Sequence, residues 1–317
     1  MTSSSIFATK GAWGQWDAAQ VIRATDLEMH ILGLRRNVIF LLVMSILLNF
    51  YFVSKYATIK ADGNSIKDTD TLRNCFIPEY HLEGAAQDDP RLIGYIRREL
   101  LEPPSPHPYN IYHPEMVHYS QYNQSEFANK TLNGMEDGFY IEAGASEGEF
   151  LSNTLFFERR LGWRGLLIEP LPEIYKLLQR KNRKAYIINT ALSTTPHASY
   201  VTFEPAVGLG TSSHLSDKGI ILKGIPLYSI LRALNVEVVD FMSLDIESFE
   251  VKILKTIPWD KVTFRLMCIE VSHIPEGIDY LTEYLTDKGY KFLGLGSADA
   301  WYGWPDLLPR NTFLAPT

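Results

Sequence analysis

Phe139-Tyr-Ile-Glu142-Ala-Gly144-Ala-Ser146-Glu-Gly148-Glu-Phe150 decides the fold. A short apolar run predicts a strand over 139–143, with an acidic residue near its end. A turn of small residues follows, then apolar spacing that predicts a helix over 150–161. Amides in such a turn can face the polar end of a ligand, and the missing side chains allow close approach.

Outward from this stretch, strand and helix signals alternate. Strands are predicted over 166–169, 185–190, 200–203, 238–245, 264–271 and 290–293. Helices are predicted over 172–181, 226–234, 247–257 and 277–288. In the third of these, Phe249, Ile253, Leu254 and Ile257 fall on one face. Several strands read as continuous apolar runs, as in a parallel sheet covered on both sides. The expected fold is α/β, a doubly wound sheet whose ligands sit beyond the carboxyl ends of the strands.

Those ends hold the candidate site. Glu142 lies near the end of the first strand, and Gly144, Ser146 and Gly148 follow it. Glu169-Pro170 closes the second, where a carboxylate can accept both hydroxyls of a ribose. Phe241-Met-Ser-Leu-Asp245-Ile-Glu247-Ser-Phe-Glu250 sets one acid at a strand end and two on the predicted helix. Glu247 also suits a helix start, and Glu250 alone reads as a surface charge. Proton removal needs a base within reach, and the candidates are Asp245, Glu270 and His273. Taken alone, His273 reads as a structural surface histidine.

These residues bring a family into view. IEAGASEGEF, LLIEP and SLDIESFEVKILKTI resemble the FkbM-type S-adenosylmethionine methyltransferases, whose third motif runs Asp-x-Glu-Gly-x-Glu before an amphipathic helix. The closer resemblance is to the Star-like proteins of arthropods, through residues 147–158, residues 161–169 and Asp88-Asp-Pro-Arg-Leu-Ile. It covers roughly residues 88–295. The resemblance implies a class I methyltransferase-like sheet with S-adenosylmethionine along its first two strands. Glu142, Gly144 and Ser146 would then face the cofactor's amino-acid end and Glu169 its ribose, with Gly148 and Asp245 also among the cofactor-binding residues. Asp245 would lie near the transferred methyl, with Asp245, Glu247 and His273 as the catalytic candidates. In two places this chain departs from the family pattern: Ser146 and Ser248 stand where the family has glycine. Both add bulk where close backbone approach is expected, and one misplaced contact can cost orders of magnitude in rate.

The rest of the chain sets the context. Val38 to Val53 (VIFLLVMSILLNFYFV) carries no charge, and Arg35-Arg36 and Lys55 flank it. As a helix it would be about 24 Å long, short against a bilayer core of about 30 Å. It is nevertheless apolar all round and ends in the aromatic run Phe50-Tyr-Phe52. The expectation is one transmembrane signal anchor, 38–54, preceded by a cytosolic tail, 1–37. A polar stem, 55–87, would lead to a lumenal methyltransferase-like domain, 88–317. The run starts too far in for a cleaved signal peptide. Asn123-Gln-Ser and Asn129-Lys-Thr are glycosylation sequons, consistent with a lumenal domain.

The Star-like resemblance implies a type II protein of the endoplasmic reticulum, Golgi and endosome membranes, or the plasma membrane. There it would aid transport of transmembrane growth-factor precursors as clients. The alternative is an active O-methyltransferase on a glycan or small hydroxyl compound.

The whole chain has 317 residues, 30 Lys+Arg and 37 Asp+Glu, a net charge of −7. That balance argues against nucleic acid as a partner. Cys75 and Cys268 could pair in an oxidising lumen, though Cys268 sits in a strand-like run and reads as a small core residue. Residues 103–122, rich in Pro, Tyr and His, read as an extended wrap on the domain surface. His107, His113 and His118 lack the spacing of metal ligands, and no metal is expected. The loop 205–219 could cover the site. Trp301 and Trp304 read as packing over the sheet, or as a platform for a sugar.

Overall fold

The computed structural model describes residues 82–204, 214–215 and 219–305. The predicted tail 1–37, the span 38–54 and most of the stem lie outside them, as do Cys75 and most of the loop 205–219. Among the described residues no helix is long and apolar enough to cross a membrane.

The described chain opens with helix α1 (Pro90–Tyr95). Asp89 caps it by accepting from the Arg91 amide, and proline fills the first turn, where no amide is needed. A π-helical turn, Ile96–Leu100, leads to the short strand β1 (Leu101–Glu102). The wrap over 103–122 then runs without regular structure, as expected. The amides of Tyr112 and His113 donate to the two oxygens of Glu149, both at 2.7 Å. Lys181 lies 3.7 Å from the centre of the Tyr112 ring, a cation over an aromatic face.

Three parallel strands come next: β2 (Phe139–Ala143), β3 (Arg164–Ile168) and β4 (Tyr186–Ile188). Helix α2 (Gln124–Thr131) precedes them. Helices α3 (Leu155–Leu161) and α4 (Pro172–Arg180) connect them. The chain then forms a separate four-stranded sheet. Its members are β5 (Ala191–Leu192), β6 (Ser199–Glu204), β7 (His214–Leu215) and β8 (Ile220–Ile225), in the order β5-β8-β6-β7. Helix α5 (Leu227–Leu234) returns it to the main sheet. There β9 (Val238–Leu244), helix α6 (Glu250–Leu254), β10 (Thr263–Glu270) and helix α7 (Ile278–Asp287) follow in turn. The hairpin β11 (Lys291–Gly296) and β12 (Asp299–Gly303) ends the fold.

The main sheet has the order β1-β4-β3-β2-β9-β10-β12-β11. From β4 to β10 all pairs are parallel, and β12 enters antiparallel between β10 and β11. Setting aside the short edge strand β1, this is the class I methyltransferase-like arrangement the sequence led us to expect. The chain winds outward from β2 through β3 and β4, then restarts on the other side at β9. The switch point therefore lies between β2 and β9, where open α/β sheets hold their ligands.

Alternation along each strand divides the core into two layers. Ile141, Ala143, Leu166, Ile168, Met242, Leu244 and Met267 join the layer under α1, α5, α6 and α7. Tyr140, Leu167, Phe241, Leu266 and Trp301 join the other, with Phe157 of α3 and Tyr175 and Leu178 of α4. Burial on both faces explains why the strands read as unbroken apolar runs.

Several elements differ from expectation. The helix expected from 150 begins at Leu155, because Leu151 takes a positive φ of 60° and interrupts any helix there. The helix expected from 247 begins at Glu250, because Glu247 and Ser248 have φ of 59° and 80°. Trp301 lies inside β12 and is 2% exposed, so it belongs to the sheet and offers no sugar platform. Trp304 packs against Tyr290, their ring centres 5.1 Å apart. Cys268 is a buried core residue facing Asp299.

Candidate active site

Three strand ends are clasped at the switch point. The amides of Gly144 and Ala145 donate to the Ile168 carbonyl at 3.1 and 3.0 Å, and the Asp245 amide donates to the Ala143 carbonyl at 3.1 Å. So close an approach needs glycine. Gly144 has a φ of +85°, and a Cβ there would lie 1.9 Å from the Asp245 carbonyl oxygen. Ser146 adopts a φ of 50° and Ser248 one of 80°. The two serines that replace family glycines thus hold left-handed backbone, at a strain of about 1 kcal/mol each.

Between the strand ends opens a cleft of about 290 Å³. Gly144, Ser146, Glu169, Asp245 and Glu247 supply its polar wall. Leu171, Ile174, Ile246 and Phe249 supply an apolar one. Its volume stands near the lower end of pockets for small organic ligands, about 300–1,000 Å³.

Glu169 is the fixed acid of this cleft. Its oxygens accept from the Ser146 amide at 3.0 Å and the Leu171 amide at 2.9 Å. The Asn189 side chain braces the same turn by donating to the carbonyls of Glu169 and Pro170. Burial pushes the Glu169 carboxyl up to about 8, against the two amides that favour its charge.

Glu142 and Gly148 are not among the lining residues. Glu142 points beneath the loop and accepts from the Ser152 hydroxyl at 2.9 Å, the Asn153 amide at 2.6 Å and the Thr154 hydroxyl. Below it lies a polar network that sequence reasoning missed. Arg183 and Glu158, both wholly buried, pair at 3.0 Å. Arg183 also donates to the Gly148 carbonyl, and the Tyr140 hydroxyl donates to Glu158. This pair anchors the turn that carries Gly144 and Ser146.

On the β9–β10 side the acids gather. Asp245 opens to solvent through the cleft, yet its proton is held well above the usual carboxylate range. The protein packed around it is the main cause, followed by the charges of Glu247, Glu270, Glu250 and Asp299. Exposure and desolvation point in opposite directions here; the crowding of like charges gives the upward direction by itself. Glu247 is raised by burial, with His273 acting in the opposite sense. Glu250 is pushed up to about 7 by burial, against a hydrogen bond from the Ile246 amide. It is completely buried, which corrects its reading as a surface charge.

His273 stands beside this group, half exposed. Its Nδ1 is 3.5 Å from Glu270 Oε1 and 3.9 Å from Glu247 Oε2. The structure thus brings together Gly144, Ser146, Glu169, Asp245 and Glu247, with His273 adjoining Glu247. It leaves His113 and His118 elsewhere: His113 approaches Glu115, and His118 bonds the Ser125 hydroxyl and stacks on Phe156.

Residues 142–292 match the methyltransferase FkbM domain family. No curated protein matches the chain. Among solved structures, the METTL16 methyltransferase domain is 14% identical with a TM-score of 0.37, over 80% of this chain and 89% of that one. Aeropyrum pernix fibrillarin, in complex with natively bound S-adenosyl-L-methionine, is 13% identical with a TM-score of 0.32, over 59% and 74%. A SAM-dependent methyltransferase from Aquifex aeolicus is 11% identical with a TM-score of 0.33, over 60% and 92%. Strand order, the cleft at the switch point and the family match lead to one statement. The chain carries an FkbM-related, S-adenosylmethionine methyltransferase-like domain.

Proposed function

We propose that this chain is an S-adenosylmethionine-dependent O-methyltransferase acting on a hydroxyl of a glycan or small neutral compound. The observation that carries the reading is Glu169, a carboxylate held by two amides inside the cleft at the end of β3. Each of its oxygens keeps a lone pair, so the pair can accept both hydroxyls of a ribose. The apolar wall of Leu171, Ile174 and Phe249 suits a purine ring. When bound, the cofactor supplies a methyl group on a sulfonium. The chain's own part is to orient and to move a proton. His273 takes the substrate proton, with Glu270 and Glu247 at 3.5 and 3.9 Å from its Nδ1. The acid cluster repels phosphate-rich substrates and offers acceptors to sugar hydroxyls. The cleft and the family match support this enzyme reading more than the client-transport role that the Star-like resemblance implies.

Calorimetry on the full-length chain in detergent tests it. The wild type binds S-adenosylmethionine, and Glu169→Ala weakens binding by roughly 10- to 100-fold, the loss of hydrogen bonds to a charged acceptor. Because burial holds the Glu169 proton up to about 8, affinity rises as pH climbs through 8 and the accepting carboxylate forms. Absence of binding by the wild type at pH 8.5 overturns the reading. A labelled-methyl transfer assay on glycan acceptors then identifies the substrate.

We also propose that the domain is lumenal, carried by the span 38–54. Support comes from the state of the sequons. Asn123 is exposed just before α2, whereas Asn129 lies within α2 with its Oδ1 buried. Expression in animal cells should give one glycan, removed by N-glycosidase and absent from Asn123→Gln, with Asn129→Gln unchanged. An unglycosylated wild type counts against the lumenal placement.

A further inference from the structure

We infer that Asp245, Glu250 and Glu270 form an oxygen-ligand site for a divalent cation on the β9–β10 side of the cleft. Asp245 follows β9, Glu250 opens α6 and Glu270 ends β10, so two adjacent parallel strands and the intervening helix converge there. One carboxylate oxygen from each lies within 4.8 Å of the other two. Oxygen ligands of Ca²⁺, held about 2.3–2.6 Å from the ion, span at most about that separation, and a smaller ion draws them closer.

A cluster of acids is common without an ion; two orphaned oxygens set this one apart. Glu250 is 0% exposed and Glu270 7%. Each has one oxygen fixed by a backbone amide, Ile246 to Glu250 Oε1 at 2.9 Å and Ser272 to Glu270 Oε1 at 2.7 Å. The other oxygen of each, Oε2, is buried with no hydrogen-bond partner among the described residues. A buried, unpaired carboxylate oxygen is costly, and folded proteins rarely keep two side by side without a counter-charge. Among the described residues no lysine or arginine pairs with any of the three acids, and His273 is the one basic group in ion-pair range. Asp299 lies directly opposite Glu270 in the β10–β12 ladder, adding a further like charge.

A cation resolves these conflicts together. An all-oxygen set with one member open to solvent suits a hard ion such as Ca²⁺, Mn²⁺ or Mg²⁺ rather than zinc or copper. The open side of Asp245 leaves positions for water or for a substrate oxygen. That second role rests on the methyltransferase reading, whereas the site itself does not.

Titration of Mn²⁺ alone into the full-length chain, with free ion followed by electron paramagnetic resonance, tests the site. The expected result is one saturable site, with melting raised by roughly 5–10 °C at about 100 times the dissociation constant. Glu250→Gln and Glu270→Gln should weaken binding at least tenfold. In metal-free buffer both should melt higher than the wild type, since each removes a repelling charge. Should either fail to fold, Asp245→Asn, at a solvent-exposed position, gives the same loss of Mn²⁺. Wild-type protein with no saturable Mn²⁺ binding overturns the site, as does binding undiminished in every folded variant. Glu169→Ala separates the two readings: it should lose S-adenosylmethionine and keep Mn²⁺.

Discussion

Gly144→Ala is expected to lower the unfolding free energy by about 3–5 kcal/mol. The left-handed backbone, at a φ of +85°, accounts for about 1 kcal/mol. The rest comes from the contact, since the new Cβ would meet the Asp245 carbonyl oxygen at 1.9 Å. That oxygen belongs to backbone, which cannot swing aside as a flexible side chain would. Ala143 and Leu244 are paired in the β2–β9 ladder immediately before it, and the Asp245 amide is held by Ala143. Relief therefore means opening hydrogen bonds between strands, at about 1 kcal/mol each. Gly134 supplies the control. Its φ is +67° with nothing within 4 Å of a Cβ, so Gly134→Ala should cost only about 1 kcal/mol. Urea denaturation of the two variants side by side decides the matter. Equal losses would mean that the strand ends yield and that the close approach at the cleft is not fixed.

The positions of the central strands along the chain were legible because each is an apolar run buried on both faces. The run at Phe139–Ala143 was read with its boundaries as observed. β12 was not legible. Its five residues hold aspartate and glycine at the ends and two aromatics between, and only pairing with β10 makes them a strand. Helix α2 was missed for a similar reason: its first two residues, Gln124 and Ser125, look solvent-facing yet are buried by tertiary contacts. Among the site residues, Glu169 and Asp245 could be placed because they lie just past strand ends. Glu142 shows the limit of such reading. Its position in the strand alternation is set by Ile141 and Ala143, which face the opposite layer, so its carboxylate turns toward Ser152 and Thr154 and away from the cleft. Arg183, in the run Arg180-Lys-Asn-Arg183-Lys, looks like one more surface charge. Its partner Glu158 lies 25 residues away, and no local pattern reveals that pair.

For His273→Gln, turnover in methyl transfer is expected to fall by roughly 10²- to 10⁴-fold, the usual contribution of a positioned general base. Cofactor affinity should stay within about twofold, because Glu169 and the Gly144 turn lie across the cleft on β2 and β3 and do not touch the imidazole. A purely structural histidine would behave otherwise. At half exposure, with no tight partner, its loss would leave turnover and melting both near the wild type. The separations of 3.5 Å to Glu270 and 3.9 Å to Glu247 are long for hydrogen bonds. Such contacts commonly tighten once substrate is bound. Glu247 is the competing base, since burial raises its affinity for a proton and His273 acts in the opposite sense. With His273 as the base, Glu247→Gln reduces turnover less than His273→Gln and acts by loosening the ring's charged neighbour 3.9 Å away. Single-turnover rates with saturating cofactor measure the chemical step without product release. If His273→Gln stays within about threefold of the wild type, the base is one of the acids at the end of β9, and the histidine only balances their charge.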